Sequence, residues 1–150
     1  MAAEILRDAR PGDRDPIERL VEAAYGRYVG LIGRRPAPMD ADYTALIGAG
    51  RVTVAERGGE IAGLLVLAPM EDHLLVENVA VDPAAQRTGL GRRLMAHAED
   101  EARALGLPEL RLYTNALMAE NVAWYPRLGY RETERRAESG FSRVFFAKTL

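Results

Sequence analysis

The stretch that decides the fold reads LLVENVAVDPAAQRTGLGRRL and spans residues 74–94. Its first eight residues are mostly apolar and do not alternate with polar ones, a pattern typical of a strand covered on both faces. Asp82 and Pro83 end this strand, because proline has no N–H to donate to a sheet. Gly89 then opens a helix. The stretch therefore predicts a mid-sheet strand, a glycine-containing loop and an amphipathic helix.

The helix has apolar side chains at nearly helical spacing, which predicts that one face docks on the sheet. These side chains are Leu90, Leu94, Ala98, Ala102 and Leu105. Exposed N–H groups at a helix N-terminus, nearby arginines and glycines that allow close approach together favour an anion. The loop thus predicts a binding site for a pyrophosphate. An ordinary glycine-containing turn explains the loop alone equally well.

Two common phosphate-binding motifs fit this loop poorly. A Walker-type loop needs lysine and then serine or threonine after its second glycine, whereas two arginines follow Gly91. A Rossmann loop needs a third glycine, which is missing, and stands after a first strand rather than in mid-chain. Nucleotide hydrolysis and dinucleotide binding by these motifs are therefore disfavoured.

Length and composition bound the class of protein. With 150 residues, 48% of them hydrophobic, the chain can form one compact domain over residues 1–150 with a substantial core. A formal net charge of −2 argues against bulk electrostatic binding to nucleic acid. The chain has no cysteine, so disulfides, thiolate metal sites and a cysteine nucleophile are excluded. No metal is expected.

Neither a membrane span nor a signal peptide is evident. No apolar run approaches the roughly 20 residues that a spanning helix needs. The first residues also lack the charged and then apolar start of a signal peptide. We therefore expect a cytoplasmic protein with no membrane partner.

Turn residues and periodicity predict the element order βα(α)βββαβαββ. Gly58-Gly59 predicts a two-residue hairpin turn, and Ser139-Gly140 predicts a second one. The aromatic-rich segment after the first helix is expected to be broken by three glycines, Gly26, Gly30 and Gly33. The predicted fold class is α/β, with a mixed, mostly antiparallel central sheet between helices in three layers.

The pattern Gln86-x-x-Gly89-x-Gly91 after this strand resembles the GNAT superfamily of N-acetyltransferases. The resemblance continues in LRLYTN at residues 110–115 and in MAENVAWYPRLGY at residues 118–130. These segments are similar to the family's next strand, to the short helix that follows it and to the leucine-glycine-aromatic sequence at which the chain leaves that helix. Together they cover about half the chain. The resemblance implies the GNAT fold and acetyl transfer from acetyl-CoA.

By resemblance, the end of the strand, the loop and the start of the helix bind acetyl-CoA. The residues concerned are Val79, Ala80, Val81, Gln86, Arg87, Thr88, Gly89, Leu90, Gly91 and Arg92. The N–H of Val79 would lie near the thioester carbonyl. Asn115 and Asn121 stand where the family uses asparagines to support the coenzyme or the splay of the strands. For Asn121, a role as helix N-cap or turn residue is an equally good alternative.

Tyr125 stands where the family places a tyrosine near the coenzyme sulfur, which implies a role as general acid. A phenol has an ordinary pKa of about 10 and could protonate a departing thiolate of similar basicity. The residue type alone favours an aromatic that merely fills the space beneath the short helix. Pro126 is expected to push Tyr125 away from helical geometry and to shift its hydroxyl.

Glu77 is the candidate base, acting directly or through a water, because an ammonium must lose a proton before it attacks a thioester. Burial disfavours the charged form of a carboxylate, so a buried Glu77 would accept a proton more readily. The alternative is a structural carboxylate paired with Arg111 or Arg143. The residue types favour the two equally.

The acceptor is expected to lie beside an aromatic and acidic segment that borders the acceptor pocket in such folds. Tyrosine rings there suit an amine through cation–π contacts, although such residues also pack loops. The candidate acceptor-binding residues are Tyr25, Tyr28 and Tyr43. A small amine, an amino acid, an antibiotic, a polyamine and a protein all remain as acceptors.

The leading interpretation is an N-acetyltransferase that acts by direct transfer from acetyl-CoA to a primary amine in a ternary complex. The absence of cysteine excludes a covalent cysteine intermediate. The alternative is a non-catalytic acyl-CoA-binding or sensing module of the same fold, and a third interpretation is a different nucleotide binder. The resemblance is also compatible with a homodimer.

Overall fold

A computed structural model describes residues 4–150 of the chain. Its strands are β1 (Ile5–Asp8), β2 (Val52–Arg57), β3 (Glu60–Pro69), β4 (Leu74–Val81), β5 (Glu109–Asn115), β6 (Arg131–Glu138) and β7 (Phe141–Thr149). Its helices are α1 (Arg14–Ile32), α2 (Tyr43–Gly48), α3 (Leu90–Ala104) and α4 (Ala119–Arg127). Short 3-10 turns lie at Pro11–Asp13, Ala37–Asp40 and Pro83–Ala85. The predicted element order is confirmed.

The described strands form one sheet in the order β1-β2-β3-β4-β5-β7-β6. Strand β4 runs parallel to β5, with Leu74 opposite Leu110, whereas the other described pairings are antiparallel. The predicted α/β class, with a mixed and mostly antiparallel sheet flanked by helices, is confirmed. None of the helices within residues 4–150 has both the length and the apolarity needed to cross a membrane.

The chain divides into two compact units, of which the first contains the described residues up to Leu67 and then Asn78–His97. One face of its sheet carries a core of buried side chains from α1, α2 and the strands. This core consists of Ile17, Leu20, Val21, Tyr43, Ile47, Val52, Val54, Leu64, Val66 and Ala80. Helix α3 packs on Gly63 of β3 through Leu90 and Leu94. Because successive strand residues point to opposite faces, α3 covers the face opposite to that of Leu64.

The second unit contains Ala68–Glu77 and Ala98–Leu150. In it, α4 packs on β7 through the rings of Tyr125 and Phe146, whose centroids lie 5.6 Å apart. Strand β6 is an edge strand whose arginine and glutamate side chains are almost all exposed. Such a charged edge disfavours pairing with another sheet.

Strand β4 lies in mid-sheet, as predicted for a strand covered on both faces, but one face is covered less than the other. Leu74, Val76, Asn78 and Ala80 are buried, whereas the side chains between them are only half-buried. Leucine and valine occur on both faces, so the sequence does not reveal which face is the less covered one. The alternation places Glu77 on the half-buried face.

The predicted breaks at Gly26 and Gly30 are wrong, because α1 runs through both and ends only at Gly33, whose φ is 84°. A mid-helix glycine costs about 1 kcal/mol relative to alanine, and the buried face of α1 offsets this cost.

The prediction that Leu105 belongs to the apolar face of α3 is also wrong. Helix α3 ends at Ala104, and the Leu105 side chain is 53% exposed.

Gly26 lies exposed inside α1, and a Cβ added there would meet nothing within 4 Å. Alanine has the higher helix propensity and restricts the unfolded chain more than glycine does. Gly26→Ala is therefore expected to raise the free energy of unfolding by about 0.5–1 kcal/mol. Chemical denaturation followed by circular dichroism measures this change.

Gly63→Ala is the contrasting variant. Its Cβ would lie 3.0 Å from Leu94 Cδ1 and 3.1 Å from Leu90 Cδ2, and both leucines are buried. Overpacking of this kind is expected to lower the free energy of unfolding by about 1–3 kcal/mol. A stabilised Gly63→Ala or a destabilised Gly26→Ala would contradict the packing described above.

Candidate active site

The loop between β4 and α3 presents backbone N–H groups at the end of a 15-residue helix. The hydrogen bond from Arg93 N to Gly89 O measures 3.1 Å and closes the first turn of this helix. The N–H groups of Leu90, Gly91 and Arg92 therefore point out of the helix end. The positive end of the helix dipole falls at the same place, so the arrangement suits phosphate oxygens.

Short-range contacts fix the shape of this loop. Arg87 and Gly89 both adopt left-handed backbone geometry, with φ of 65° and 86°. The Asp82 carboxylate accepts a hydrogen bond from Ala84 N at 2.8 Å, and the Thr88 hydroxyl donates to Ala85 O at 2.5 Å. None of the hydrogen bonds described for residues 4–150 takes the N–H groups of Leu90, Gly91 or Arg92 at the start of α3. The loop is therefore shaped without occupying the place suited to an anion.

The side chains of the predicted coenzyme residues differ in exposure. Gln86, Arg87, Thr88 and Arg92 are exposed, and the Gln86 amide donates to Val81 O at 3.4 Å. Leu90 and Ala80 are buried. Gly89 is exposed, and Val79, Val81 and Gly91 are half-buried.

Asn78 is a buried polar residue that interrupts the apolar run of β4. Its side-chain oxygen accepts a hydrogen bond from the Tyr25 hydroxyl at 2.5 Å, and its amide donates to the Tyr43 hydroxyl at 3.3 Å. Tyr43 in turn donates to Pro38 O at 2.5 Å. The only signal in the sequence is a polar side chain within an apolar strand, which must find partners when it is buried.

The three candidate acceptor-binding tyrosines have different surroundings. Tyr43 is 2% exposed, and burial raises the pKa of its phenol. Tyr25 is half-buried, and its hydroxyl also lies 3.3 Å from Val79 O. Tyr28 accepts a hydrogen bond from the Arg27 guanidinium, which lies 4.8 Å from the centre of its ring. The structure thus joins Tyr25 and Tyr43 through Asn78, whereas Tyr28 contacts Arg27.

A groove of about 600 Å³ runs between α1 and the 3-10 turn at Ala37–Asp40. The groove is lined by Asp15, Glu18, Arg19, Val21, Glu22, Met39, Asp40, Ala41 and Tyr43. Arg35 donates to Glu22 at 2.8 Å and to Asp40 at 2.9 Å. Four carboxylates line the groove together with Arg19, and Arg14 and Arg35 pair with them, so the groove keeps only a small net negative charge.

In the second unit, Tyr125 lies in α4, which continues as a helix through Pro126. The predicted displacement of Tyr125 from helical geometry is therefore wrong. Pro126 falls in the last turn, where its missing N–H removes a single hydrogen bond. The Tyr125 carbonyl accepts from Leu128 N at 3.0 Å and from Tyr130 N at 3.2 Å, which closes the end of the helix.

Tyr125 is 6% exposed and is surrounded by aromatic rings. The ring centroids of Trp124, Phe146 and Tyr130 lie 5.2, 5.6 and 5.9 Å from that of Tyr125. Burial raises the pKa of the Tyr125 phenol. The phenol therefore keeps its proton at neutral pH but is a weaker acid than a solvated phenol.

The two predicted asparagines shape the turn between β5 and α4. Asn115 accepts a hydrogen bond from Leu117 N at 2.9 Å. The Asn121 amide donates to the Thr114 hydroxyl at 3.4 Å. The N-cap of α4 is Met118, so the alternative role of Asn121 as N-cap is wrong.

Glu77 is half-buried rather than buried. Each of the two arginines considered as its partners also contacts another carboxylate. Arg111 lies 3.2 Å from Glu109, and Arg143 lies 3.6 Å from Glu138.

Among residues 4–150, no group of three or more His, Cys, Asp or Glu side chains is arranged to hold a metal ion.

Comparisons with known proteins point to one family. The sequence model of the Acetyltransferase (GNAT) family matches residues 17–130. The [ribosomal protein bS18]-alanine N-acetyltransferase of Escherichia coli K12 is 36% identical over 80 residues, 53% of this chain and 54% of that protein. The IAA acetyltransferase of Azospirillum brasilense is 37% identical over 82 residues, with the same shares. The chain thus spans about half the length of these curated relatives.

Solved structures share the fold at low sequence identity. The PaiA N-acetyltransferase from Thermoplasma acidophilum, in complex with coenzyme A, superposes with a TM-score of 0.84 at 12% identity. The similarity covers 99% of each chain. It shows that the two chains have the same fold.

A test of the loop replaces Gly89 by tryptophan. A Cβ at Gly89 would meet nothing within 4 Å, so the large side chain would project from the loop over the N–H groups of α3 without disturbing the core. Gly89→Trp is expected to weaken coenzyme A binding at least about tenfold, or 1.4 kcal/mol, in calorimetric titration.

Gly50→Trp is the matched control. Gly50 also has a positive φ, 70°, and open space around a Cβ, so the two variants carry a similar backbone strain. It is expected to bind coenzyme A as the wild type does. Unchanged affinity in Gly89→Trp would exclude the loop as the phosphate site.

Proposed function

Since the chain belongs to the acetyltransferase (GNAT) family, we propose that it transfers an acetyl group from acetyl-CoA to a primary amine of its acceptor. The observation that carries the proposal is the loop after β4. Its left-handed residues Arg87 and Gly89 and the unused N–H groups of α3 form a cradle for a pyrophosphate. The exposed side chains of Arg87 and Arg92 add positive charge beside it.

We propose that direct transfer proceeds without a covalent enzyme intermediate. The unprotonated amine attacks the thioester carbonyl, the tetrahedral intermediate collapses, and coenzyme A leaves as its thiolate. The N–H of Val79 is proposed to polarise the thioester carbonyl. The absence of cysteine supports direct attack, because no thiol is present to carry the acetyl group.

Tyr125 is proposed as the general acid that protonates the departing thiolate. Burial disfavours the phenolate and raises the pKa of Tyr125, so transfer of its proton to the thiolate requires the developing phenolate to be stabilised. The rings of Trp124, Phe146 and Tyr130 restrict its orientation. Position in the family motif, together with this fixed orientation, supports the role.

The acceptor class is proposed from charge and from the relatives. The groove beside α1 keeps a small net negative charge, which suits an acceptor that arrives as a cation. Among the relatives, one is named for the alanine of a ribosomal protein. We therefore propose a peptide with an N-terminal alanine as the first acceptor to test, followed by small amines.

Tyr125→Phe tests acetyl transfer and the role of Tyr125 as general acid in one experiment. The variant keeps the ring contacts but cannot donate a proton, so kcat is expected to fall about a hundredfold while acetyl-CoA affinity is unchanged. Coenzyme A release in the presence of alanine-terminated peptide and small amines measures kcat, and calorimetry measures affinity.

Tyr113→Phe is the control for this test. Tyr113 lies in the same unit, and its ring contacts Phe145 at 5.5 Å and the Arg143 guanidinium at 4.3 Å. It is expected to turn over as the wild type does. Binding of acetyl-CoA by the wild type without transfer to any amine would favour the non-catalytic sensing module instead.

Glu77 is proposed as the base that takes the proton of the acceptor ammonium, directly or through a water, and Glu77→Gln tests this role. The amide cannot accept the ammonium proton, so kcat at neutral pH is expected to fall about a hundredfold. The remaining rate should rise with pH in proportion to the unprotonated fraction of the acceptor amine. Glu134→Gln, which removes a carboxylate paired with Arg136, is the control. An unaltered pH–rate profile in Glu77→Gln would exclude Glu77 as the base.

A further inference from the structure

The Tyr130 hydroxyl has no hydrogen-bond partner among the protein atoms of residues 4–150. The residue is only 4% exposed, and its hydroxyl is shielded from solvent. A buried hydroxyl without a partner destabilises the fold, and phenylalanine would fill the same space without this cost. A group of this kind in a folded protein calls for a functional explanation.

The neighbours of Tyr130 supply such an explanation. Its ring meets the ring of Tyr125 edge to face, with centroids 5.9 Å apart and an interplanar angle of 67°. Lys148, the only lysine of the chain, places its ammonium 5.8 Å from the centre of the Tyr130 ring. The same ammonium donates to Glu99 at 3.2 Å and to Leu128 O at 2.8 Å. Tyr130 is thus fixed beside the proposed acid by charged and aromatic contacts.

We propose that Tyr130 is a positioning residue for acetyl transfer, whose hydroxyl donates a hydrogen bond, directly or through one water, to the phenolate that Tyr125 becomes when it protonates the thiolate. This inference rests on the proposed function. The donor has no partner in the ground state and gains one as charge develops on Tyr125. An interaction of this kind stabilises the transition state more than the ground state and therefore raises kcat.

The protons balance along this path. The O–H proton of Tyr125 passes to the sulfur of the leaving thiolate and forms coenzyme A as the free thiol. Tyr125 is left as a phenolate, which Tyr130 stabilises without losing its own proton. The acceptor nitrogen loses two protons to solvent, one from the ammonium through the base before attack and one from the tetrahedral intermediate as it collapses. Solvent then returns one proton to Tyr125. Overall, one proton is released for each acetyl group transferred.

The surroundings keep Tyr130 in the donor form. Burial, together with the negative charge of Glu99, raises the pKa of Tyr130, so its phenol stays protonated when Tyr125 ionises. Lys148 is the positive group that faces its ring. Tyr130 can therefore donate to a phenolate without competing for the negative charge.

Tyr130→Phe separates this role from simple packing. Because a hydrogen bond to an ion is lost only in the transition state, kcat is expected to fall about tenfold. The acetyl-CoA affinity should be unchanged, and the melting temperature should not fall, since an unpartnered hydroxyl is removed. A merely structural Tyr130 would leave kcat unchanged. Tyr113→Phe again serves as the control for loss of a phenol.

A second measurement does not require acetyl transfer. Tyrosines are replaced biosynthetically by a polyfluorinated tyrosine, whose phenol ionises at a much lower pH than that of tyrosine, and ¹⁹F NMR follows the ionisation of residue 125, whose signal is assigned with Tyr125→Phe. Tyr130→Phe is expected to raise the pKa of Tyr125 by about one unit, because its phenolate loses a donor. Tyr113→Phe should leave it unchanged.

The two measurements distinguish a failure of the proposed function from a failure of the inference about Tyr130. If the wild type acetylates no amine, the proposed function fails, and the NMR titration alone decides the coupling between Tyr130 and Tyr125. If the wild type is active, an unchanged kcat in Tyr130→Phe overturns the inference. An unchanged ionisation of Tyr125 in that variant overturns it in either case.

Discussion

The contact between α3 and Gly63 is the constraint on which the first unit depends. Leu90 and Leu94 pack against a strand position that has no side chain, and a Cβ there would come within about 3 Å of both. This close approach fixes the start of α3 through buried side chains, and Arg93 in its first turn adds hydrogen bonds to Glu4. The first N–H groups of the helix therefore need no protein partner to hold the helix in place, and they stay available to a ligand.

The second unit depends on a comparable fixed point at Lys148. Its ammonium joins the carboxylate of Glu99 on α3 to the carbonyl of Leu128, which follows α4. The aliphatic part of the same side chain lies against the backbone of Gly129, where an added Cβ would be 3.2 Å from Lys148 Cε. The end of α4 is thus held by charge and by packing, and Tyr125 is held with it.

The sequence predicts the local parts of this structure well, because turn residues act over a few positions. Gly58-Gly59 and Ser139-Gly140 give the two hairpins, and every one of these residues has a positive φ. The predictions fail where distant packing overrides local preference. The buried face of α1 carries the helix through Gly26, and the closure of the last turn of α4 carries it past Pro126.

Only part of the candidate site could be predicted from the sequence, for the same reason. The loop from Gln86 to Arg92 is contiguous, so its motif could be read directly from the sequence. The bonds that Asn78 makes to Tyr25 and Tyr43 join residues 53 and 35 positions apart. No local pattern links these residues. The partners of a buried polar side chain can be found only once the fold brings the elements together.

Backbone geometry gives an independent reason to place function in this loop. Two residues other than glycine in residues 4–150 have a positive φ, Arg87 and Ser139. Ser139 lies in the tight turn between β6 and β7, where the hairpin itself requires left-handed geometry. Arg87 lies in a longer loop, where no hairpin imposes it. Its strain shapes the loop just before the unused N–H groups of α3, and strain that the fold does not require is concentrated at binding sites.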